Sequence, residues 1–579
     1  MKLYLKKSGI FLTVVISLLC LTGFSNNNKV VSVKDFGAIP DDNRDDSEAL
    51  RKACAYCRHN PGIILFFPSG VYNYSDEKAK EIEFNAVSGN YGENTQGVLF
   101  KPDAPYVKAL DLSGARNLTV EASGATLCLN GWYEPISLVG CSNVIIRGLS
   151  ITYMRPPNTV GKVENLGDGF FDISFDPLLY TDLKDNVTGG AHFYDNERKR
   201  LYTIGGIGKK ELIRPNVIRI ACSTKPKIGD YCIIRHSGHY RPAVLIKESS
   251  NIKLEDVKIH EQPGMGVVGH RSENITLKNV QIVPIAGRFI STNTDATHFT
   301  SCKGRILMDG CKFEGQGDDC TNIHNYYYTL YPEEAKNQIC IKVENADLHA
   351  LSLDYPDKGD TLNLVSRETL EPIGHYIVKD VKVSEKDWKV TVTLNKEIPS
   401  DYEHYYMTNE SRKPSVALFN NTVRSHLARA FLIKTDNVQI KGNVIQNCTG
   451  TAIQIGAEGT WRECGPVKNL MIEDNWFIDC GYDGHGTQEN TSAICINISG
   501  VKNQTQGLHR NITIRNNNIN AACENAIYIS SAQNINVINN NIANCKNSVF
   551  IQYSKDILIR NNGTIPVKIG DHVECQNVR

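Results

Sequence analysis

Three aspartates on two short runs carry the chemistry open to this chain. Asn293-Thr294-Asp295 and Gly317-Asp318-Asp319-Cys320 begin 24 residues apart, close to the interval at which the chain repeats a strand template. Asp295 and Asp319 therefore fall in one slot of successive repeats, with Asp318 beside them. Stacked strands lie about 4.8 Å apart, and carboxylates that close cannot all ionise. At least one must keep its proton to higher pH and serve as a general acid near neutrality. The other two could hold and deprotonate a water. An acid paired with a base is the equipment for breaking a glycosidic bond. A single Asp in such a turn would more simply cap a loop or accept backbone amides. Three in register point to a site, although three carboxylates also suit a hard cation, so a calcium-dependent lyase is the chemical competitor.

Aligning strands by their inward positions (Thr297 and Phe299, Thr321 and Ile323, Phe431 and Ile433, Ile453 and Ile455) puts Asp295, Asp319, Arg429 and Thr451 in one slot. Arg429 could hold one Asp ionised. Alternation turns His298, Asn322 and Gln454 outward in one column and Thr300, His324 and Lys434 in the next, a set suited to sugar hydroxyls. The loop from Gly456 to Glu463 leaves the following repeat on the same side, where Trp461 could pack on a sugar face and Glu458 bind its hydroxyls. The candidate site is thus Asp295, Asp318 and Asp319 for catalysis, with Arg429, Glu458, Trp461, His324, Asn322 and Asn293 for substrate. No metal or cofactor enters this reading.

The elements that must position these groups are legible as a repeat. Asn143-Val144-Ile145-Ile146, Asn251-Ile252-Lys253-Leu254, Asn274-Ile275-Thr276-Leu277, Asn511-Ile512-Thr513-Ile514 and Asn534-Ile535-Asn536-Val537 share one template, an alternating strand opened by Asn. Asn251 to Asn274 and Asn511 to Asn534 each span 23 residues, one coil of a parallel β-helix. Asn supplies tight turns through its tolerance of the left-handed conformation, and stacked apolar positions fill the bore. Two intervals break the period: 108 residues separate Asn143 from Asn251, and 110 separate Arg305 from Ser415. Each holds one coil plus an insertion of roughly 85 residues, rich in alternating strands.

The expected fold is therefore all-β, a right-handed parallel β-helix with two inserted small β-barrel-like domains. Its divisions are a signal peptide over 1–25, an N-terminal cap and first coils over 26–154, and a first inserted β domain over 155–240. Coils bearing the Asp cluster follow over 241–328, a second inserted β domain over 329–412, and C-terminal coils over 413–579. Tyr326-Tyr327-Tyr328 opens the second insertion, either lining the site or packing at the junction. Asp45-Asp46-Ser47 reads as the cap of a helix covering the first coil rather than a calcium loop.

Composition narrows the partners. Lys plus Arg equals Asp plus Glu at 63 each, which gives no electrostatic case for nucleic acid or an anionic membrane. Met1-Lys2 through Lys7, the apolar run Ile10 to Leu21, and Gly23 and Ser25 form a secretory signal pattern. Export to the periplasm or exterior is expected. Lipid anchoring at Cys20 is the lesser alternative, because Leu19 stands where a small residue belongs. The 18 cysteines are scattered singly rather than densely spaced, which favours buried core thiols over a disulfide scaffold. Cys54-Ala55-Tyr56-Cys57 is read as helix packing.

The paired motifs resemble those of glycoside hydrolase family 28, the polygalacturonases. There the first Asp of the adjacent pair is taken as the acid, and the other two activate water with inversion. Where that family carries Gly-His-Gly, this sequence has Ala428-Arg429-Ala430, and Thr451-Ala452 begins the next coil with no Arg-Ile-Lys. Those missing groups recognise an acidic sugar. Gly484-His485-Gly486 lies too far along to substitute and is expected to be a loop. Over essentially its whole mature length the chain is similar to glycoside hydrolase family 110, the exo-acting α-1,3-galactosidases. The similarity runs through Val33-Lys34-Asp35-Phe36-Gly37, the two insertions, Asn293 to Phe299 and Gly315 to His324. This resemblance implies metal-free, inverting removal of terminal α-1,3-linked galactose from glycans, the blood group B antigen included, with Asp318 as acid and Asp295 and Asp319 directing water. Stacking predicts about 5 Å between Asp295 and Asp319, a spacing usual for retention, so inversion is expected from the resemblance alone. A pectin-type hydrolase, a calcium-dependent lyase and a non-catalytic glycan-binding β-helix are the alternatives. Oligomeric state is not legible.

Overall fold

The computed structural model describes residues 29–180, 187–344, 351–483, 491–520 and 523–578. The expected signal peptide with Cys20, and Gly484-His485-Gly486, lie outside the described residues. Three long sheets of 14, 13 and 11 strands run the length of the molecule. Their consecutive members pair in parallel, one rung per coil. This is a parallel β-helix.

The alternating template explains the stack. Val144 pairs with Ile252, Ile252 with Ile275, Ile275 with Ile306, and Ile306 with Val416. All five are 2% exposed or less, and each contributes roughly 1.5–3 kcal/mol by burial. The register also shows how the insertions are accommodated. Ser142–Arg147 pairs directly with Ser250–Glu255, and Arg305–Asp309 with Ser415–Phe419, so the coil closes as though the intervening residues were absent.

Asn shapes the corners twice over. Asn143, Asn251, Asn274, Asn437, Asn469, Asn511 and Asn534 adopt φ between 55 and 60°, and on the outer face the amides of Asn251, Asn274, Asn469, Asn511 and Asn534 each donate to the Asn one coil below, as Asn251 does to Asn143 at 2.9 Å. A second ladder is buried. Asn421, Asn443, Asn475, Asn517, Asn540 and Asn562 pass side-chain hydrogen bonds from coil to coil, and each Nδ2 of the first five also donates to a backbone carbonyl inside the turn.

Between Asn158 and Arg235 the chain forms a seven-stranded antiparallel sheet with its own core around Phe171, Phe193, Ile218 and Ile234. Between Tyr328 and Asn409 it closes a six-stranded barrel around Leu362, Val392 and Met407. Tyr326, Tyr327 and Tyr328 are buried at this junction, Tyr328 donating to Asp354 at 2.5 Å. Helix α1 (Ser47–His59) lays Leu50, Ala53, Cys54 and Cys57 on the first coil. Asp46 does not bond the first turn of α1; its carboxylate accepts from Ile39 N and Asn73 N, while Asp45 accepts from Ser47 N at 3.0 Å. The capping oxygen thus comes one residue earlier, and Asp46 ties the helix to the neighbouring strand. The described cysteines are free thiols, most of them buried.

The inner ladder makes one substitution informative. Asn475 Oδ1 accepts from Asn443 N and Nδ2, and its Nδ2 donates to Ile440 O, Glu473 O and Asn517 Oδ1. Asn475→Ala strands those buried groups and should lower stability by at least ~1–3 kcal/mol, read as a fall in the urea midpoint, whereas Asn469→Ala on the exposed ladder should cost less.

Candidate active site

Consecutive rungs of the 13-stranded sheet build the site: β1 (Val267–His270), β2 (Thr297–Thr300), β3 (Thr321–Tyr326), β4 (Phe431–Ile433) and β5 (Ile453–Glu458). Backbone bonds just ahead of these strands extend the register backwards. Ala296 N donates to Asp319 O at 3.1 Å, Cys320 N to Arg429 O at 2.9 Å, and Ala430 N to Thr451 O at 3.2 Å. Asp295, Asp319, Arg429 and Thr451 thus follow one another in one slot.

The three carboxylates meet: one oxygen from each of Asp295, Asp318 and Asp319 lies within 4.8 Å of the others. Asp295 and Asp319 are 4% and 3% exposed, while Asp318 is partly exposed and reaches the solvent side. Burial first, then the charges of Asp319 and Asp295, pushes Asp318 up to about 8 against the opposing pull of Arg429 and His239. Burial and Asp319 likewise hold Asp295 well above the usual carboxylate range. Arg429 is a partner to this cluster rather than a free sugar-binding group. Its Nε and Nη2 grip both oxygens of Asp319 at 2.8 Å, its backbone N donates to Oδ1 at 2.9 Å, and its Nη1 reaches Glu458 at 3.1 Å. Burial works against its charge, and Asp319 and Glu458 outweigh it, so its pKa rises further above the ordinary value.

Of the other expected sugar contacts, all but Trp461 are buried. Glu458, expected to bind sugar hydroxyls, is 4% exposed and ion-paired to Arg429 and Lys434. Asn293 is fully buried and donates to Ser237 O at 2.7 Å, holding the first insertion to the motif loop. His324 is also buried, with Nδ1 on Asn325 O and Nε2 on His298 Nε2, so no ring nitrogen is left for a ligand. Asn322 donates to Glu463 at 3.2 Å. Trp461 keeps 45% of its surface, at the turn of the hairpin from β5 to β6 (Glu463–Cys464).

Three groups escaped sequence reasoning. Arg235, from the last strand of the first insertion, donates to Asn293 O and Gly317 O and so clamps both motif loops. Burial lowers it to about 10. A Cβ at Gly317 would lie 2.3 Å from Asn293 O, so only glycine fits between the loops there. His239, 8% exposed, lies near enough to pull on Asp295 and Asp318. Glu463 arrives because β6 folds back antiparallel on β3, pairing Glu463 with Tyr326; Lys434 and the histidines hold it below the usual carboxylate range despite burial. These residues are distant in sequence from the Asp runs, and the only signal for Glu463 was its place at the end of a loop already singled out.

Positive charge at the cluster comes from the chain itself. Both Asp319 oxygens lie on Arg429 and Glu463 lies on Lys434, so each group of acidic and imidazole side chains, Asp295–Asp318–Asp319 and His298–His324–Glu463, has a cationic partner within the protein.

Known proteins resemble this chain along most of its length. The model for glycosyl hydrolases family 28 matches residues 230–342 and that for a right handed beta helix region matches 406–564. An alpha-1,3-galactosidase A of Shewanella woodyi is 28% identical over 569 residues, 93% of this chain and 90% of that protein. An alpha-1,3-galactosidase A of Bacteroides fragilis is 27% identical, covering 88% and 87%. An alpha-1,3-galactosidase B of Akkermansia muciniphila is 25% identical, covering 90% and 67%. The resemblance read from the motifs is borne out by these relatives, and the more distant family 28 likeness by the matched region over both Asp runs.

Arg429→Lys should not replace the bidentate grip on Asp319, and Arg429→Met should leave that buried carboxylate unpaired. The first is expected to reduce turnover at least tenfold with modest loss of stability, the second to cost about 3–5 kcal/mol; thermal unfolding and activity on one preparation separate the two.

Proposed function

We propose that this glycoside hydrolase of galactosidase type is exported and exo-acting, removing terminal α-1,3-linked galactose from glycans, the blood group B determinant included, with inversion. One observation carries the chemistry: Asp295, Asp318 and Asp319 bring carboxylate oxygens within 4.8 Å of one another, two of them buried and Asp318 partly exposed, an environment that pushes Asp318 up to about 8. In this reading Asp318 protonates the glycosidic oxygen as the bond to the anomeric carbon breaks, and the flanking carboxylates stabilise the oxocarbenium-like transition state. Asp295 removes a proton from the attacking water. Asp319, both oxygens committed to Arg429, orients and stabilises rather than acting as principal base.

Arg429 in place of a polygalacturonase histidine supports a neutral sugar, since its charge is spent on Asp319 and Glu458. The α-1,3 linkage is carried over from the named relatives, and exo action from the family resemblance of the motifs. The cluster's oxygens are closer than the ~6.5–9.5 Å customary when a water sits between acid and base. Inversion therefore requires the water to lie beside the Asp295–Asp319 pair, not between that pair and Asp318. Export rests on the pattern of Met1 to Ser25. Among the described residues no helix is long and apolar enough to cross a membrane.

The deciding experiment is to incubate the protein with linear and fucose-branched α-1,3-galactosyl oligosaccharides, with and without chelator, and follow the released sugar by proton NMR. β-Galactose should appear first, unaffected by chelator. α-Galactose first would overturn inversion, an unsaturated product lost with chelator would establish a lyase, and no galactose from any substrate would sink the proposal.

Asp318 supplies a pH test with a definite sign. Its folded-state pKa lies above the ordinary 3.8, so folding favours its protonated form, and stability from this group is lost as pH rises from about 4 to about 8. Activity should fall over the upper part of that range as the acid is lost. Asp318→Asn should flatten the stability slope in urea titrations. It should lose at least ~10²-fold in turnover of oligosaccharides but much less on α-galactosyl fluoride, whose leaving group needs no proton.

A further inference from the structure

We propose that His298 and His324 are positioning residues for the hydrolysis: fixed in one tautomeric order, they share a proton with Asp295 Oδ2 and take it over when Asp295 Oδ1 receives a proton from water. This rests on the hydrolase reading above and extends it to residues behind the carboxylates.

The order follows from which atoms can donate. Asn325 O only accepts, so His324 Nδ1, 2.8 Å away, carries a hydrogen. Burial lowers this imidazole to about 4, so the ring is neutral near pH 7 and its Nε2 is bare. His298 Nε2 lies 2.9 Å from that atom. Two lone pairs do not face each other at this distance, so His298 Nε2 holds the hydrogen and donates it. His298 Nδ1 is then 2.7 Å from Asp295 Oδ2, and a bare nitrogen against a carboxylate would repel. One proton must lie in this gap, as O–H donating to a neutral imidazole or as N–H of an imidazolium donating to a carboxylate.

The surroundings keep both states accessible. Asp295 faces Asp319 and Glu463, which favour the proton on its carboxyl, and His239 and Arg429, which oppose this; Asp318 lies in the same cluster. The imidazole pair faces Glu463, 3.7 Å from His324 Nε2, which favours an imidazolium, and Lys434, paired with Glu463, which opposes it. A carboxyl held protonated by burial and crowding would ordinarily fail as a base. With His298 behind it, the difficulty is removed. As the water O–H breaks and Oδ1–H forms, Oδ2–H breaks and Nδ1–H forms, leaving Asp295 neutral and His298 cationic. Asp318 gives its proton to the departing sugar oxygen in the same cycle, so the protein's proton count is unchanged.

His298→Gln and His324→Gln test this together with the wild-type imidazole spectrum. With 15N-labelled histidine, the wild type should show His324 protonated at Nδ1 only. A strongly downfield proton should report the His298–Asp295 bond and vanish in Asp295→Asn and His298→Gln. His298→Gln should lower kcat by about 10²–10³-fold with KM changed less than about threefold and an unaltered melting temperature. His324 protonated at Nε2, a downfield proton that survives in His298→Gln, or near wild-type kcat in that variant would each overturn the proposal. Absence of galactose release by the wild type would instead overturn the proposed function itself, with the imidazole signals still reporting whether the proton order holds.

Discussion

In a parallel β-helix, side chains that share a slot on adjacent coils are held about 5 Å apart whatever their charge, because the backbone ladder fixes the spacing. Everything else in this molecule answers to that constraint. Inside the bore it stacks Ile on Val and Ile on Ile at no electrostatic cost. At the corners it sets each Asn donor against the next Asn acceptor, so the same repeat that shapes the turn also satisfies it. At the site it sets Asp319 on Asp295, an arrangement water would normally relax by separating the charges. Here the ladder does not permit separation, and the crowding is relieved by keeping protons on Asp295 and Asp318 and by Arg429 one coil further on.

Crowding alone would shift these groups little on a solvated face, since water screens like charges. The insertions change the medium. Arg235 and Ser237 from the first insertion pin the Asn293 and Gly317 loops. On the other side, Asn325 donates to Asn409 O and Arg412 O where the barrel returns to the coils, and β6 carries Glu463 over β3. Burial is accordingly the first cause of the raised values of Asp295 and Asp318, with neighbouring charge second. The added domains interrupt the chain without interrupting the stack, and so they wall the site without disturbing the register that builds it.

The parallel β-helix and the gathering of Asp295, Asp318 and Asp319 were legible in the sequence because both depend on period. Strand alternation, Asn at left-handed turns and a repeat of fixed length specify which residues share a slot before any coordinate is known. Arg429 entered that slot by the same counting. The partners of these residues were less legible. His324 was placed by alternation, Glu458 by its loop and Asn293 by its motif, and none of these says which side chains cover or hold a group.

Local spacing therefore determined the coil, its register and the meeting of the three carboxylates, since each follows from neighbours one repeat apart. Only the tertiary structure decided that Arg235 clamps the two loops, that Glu463 and Lys434 stand behind the histidines, and that His298 lies between Asp295 and His324, 2.7 and 2.9 Å away. Those contacts join an inserted sheet, a folded-back hairpin and separate coils. Their geometry depends on how whole elements pack, which no repeat encodes.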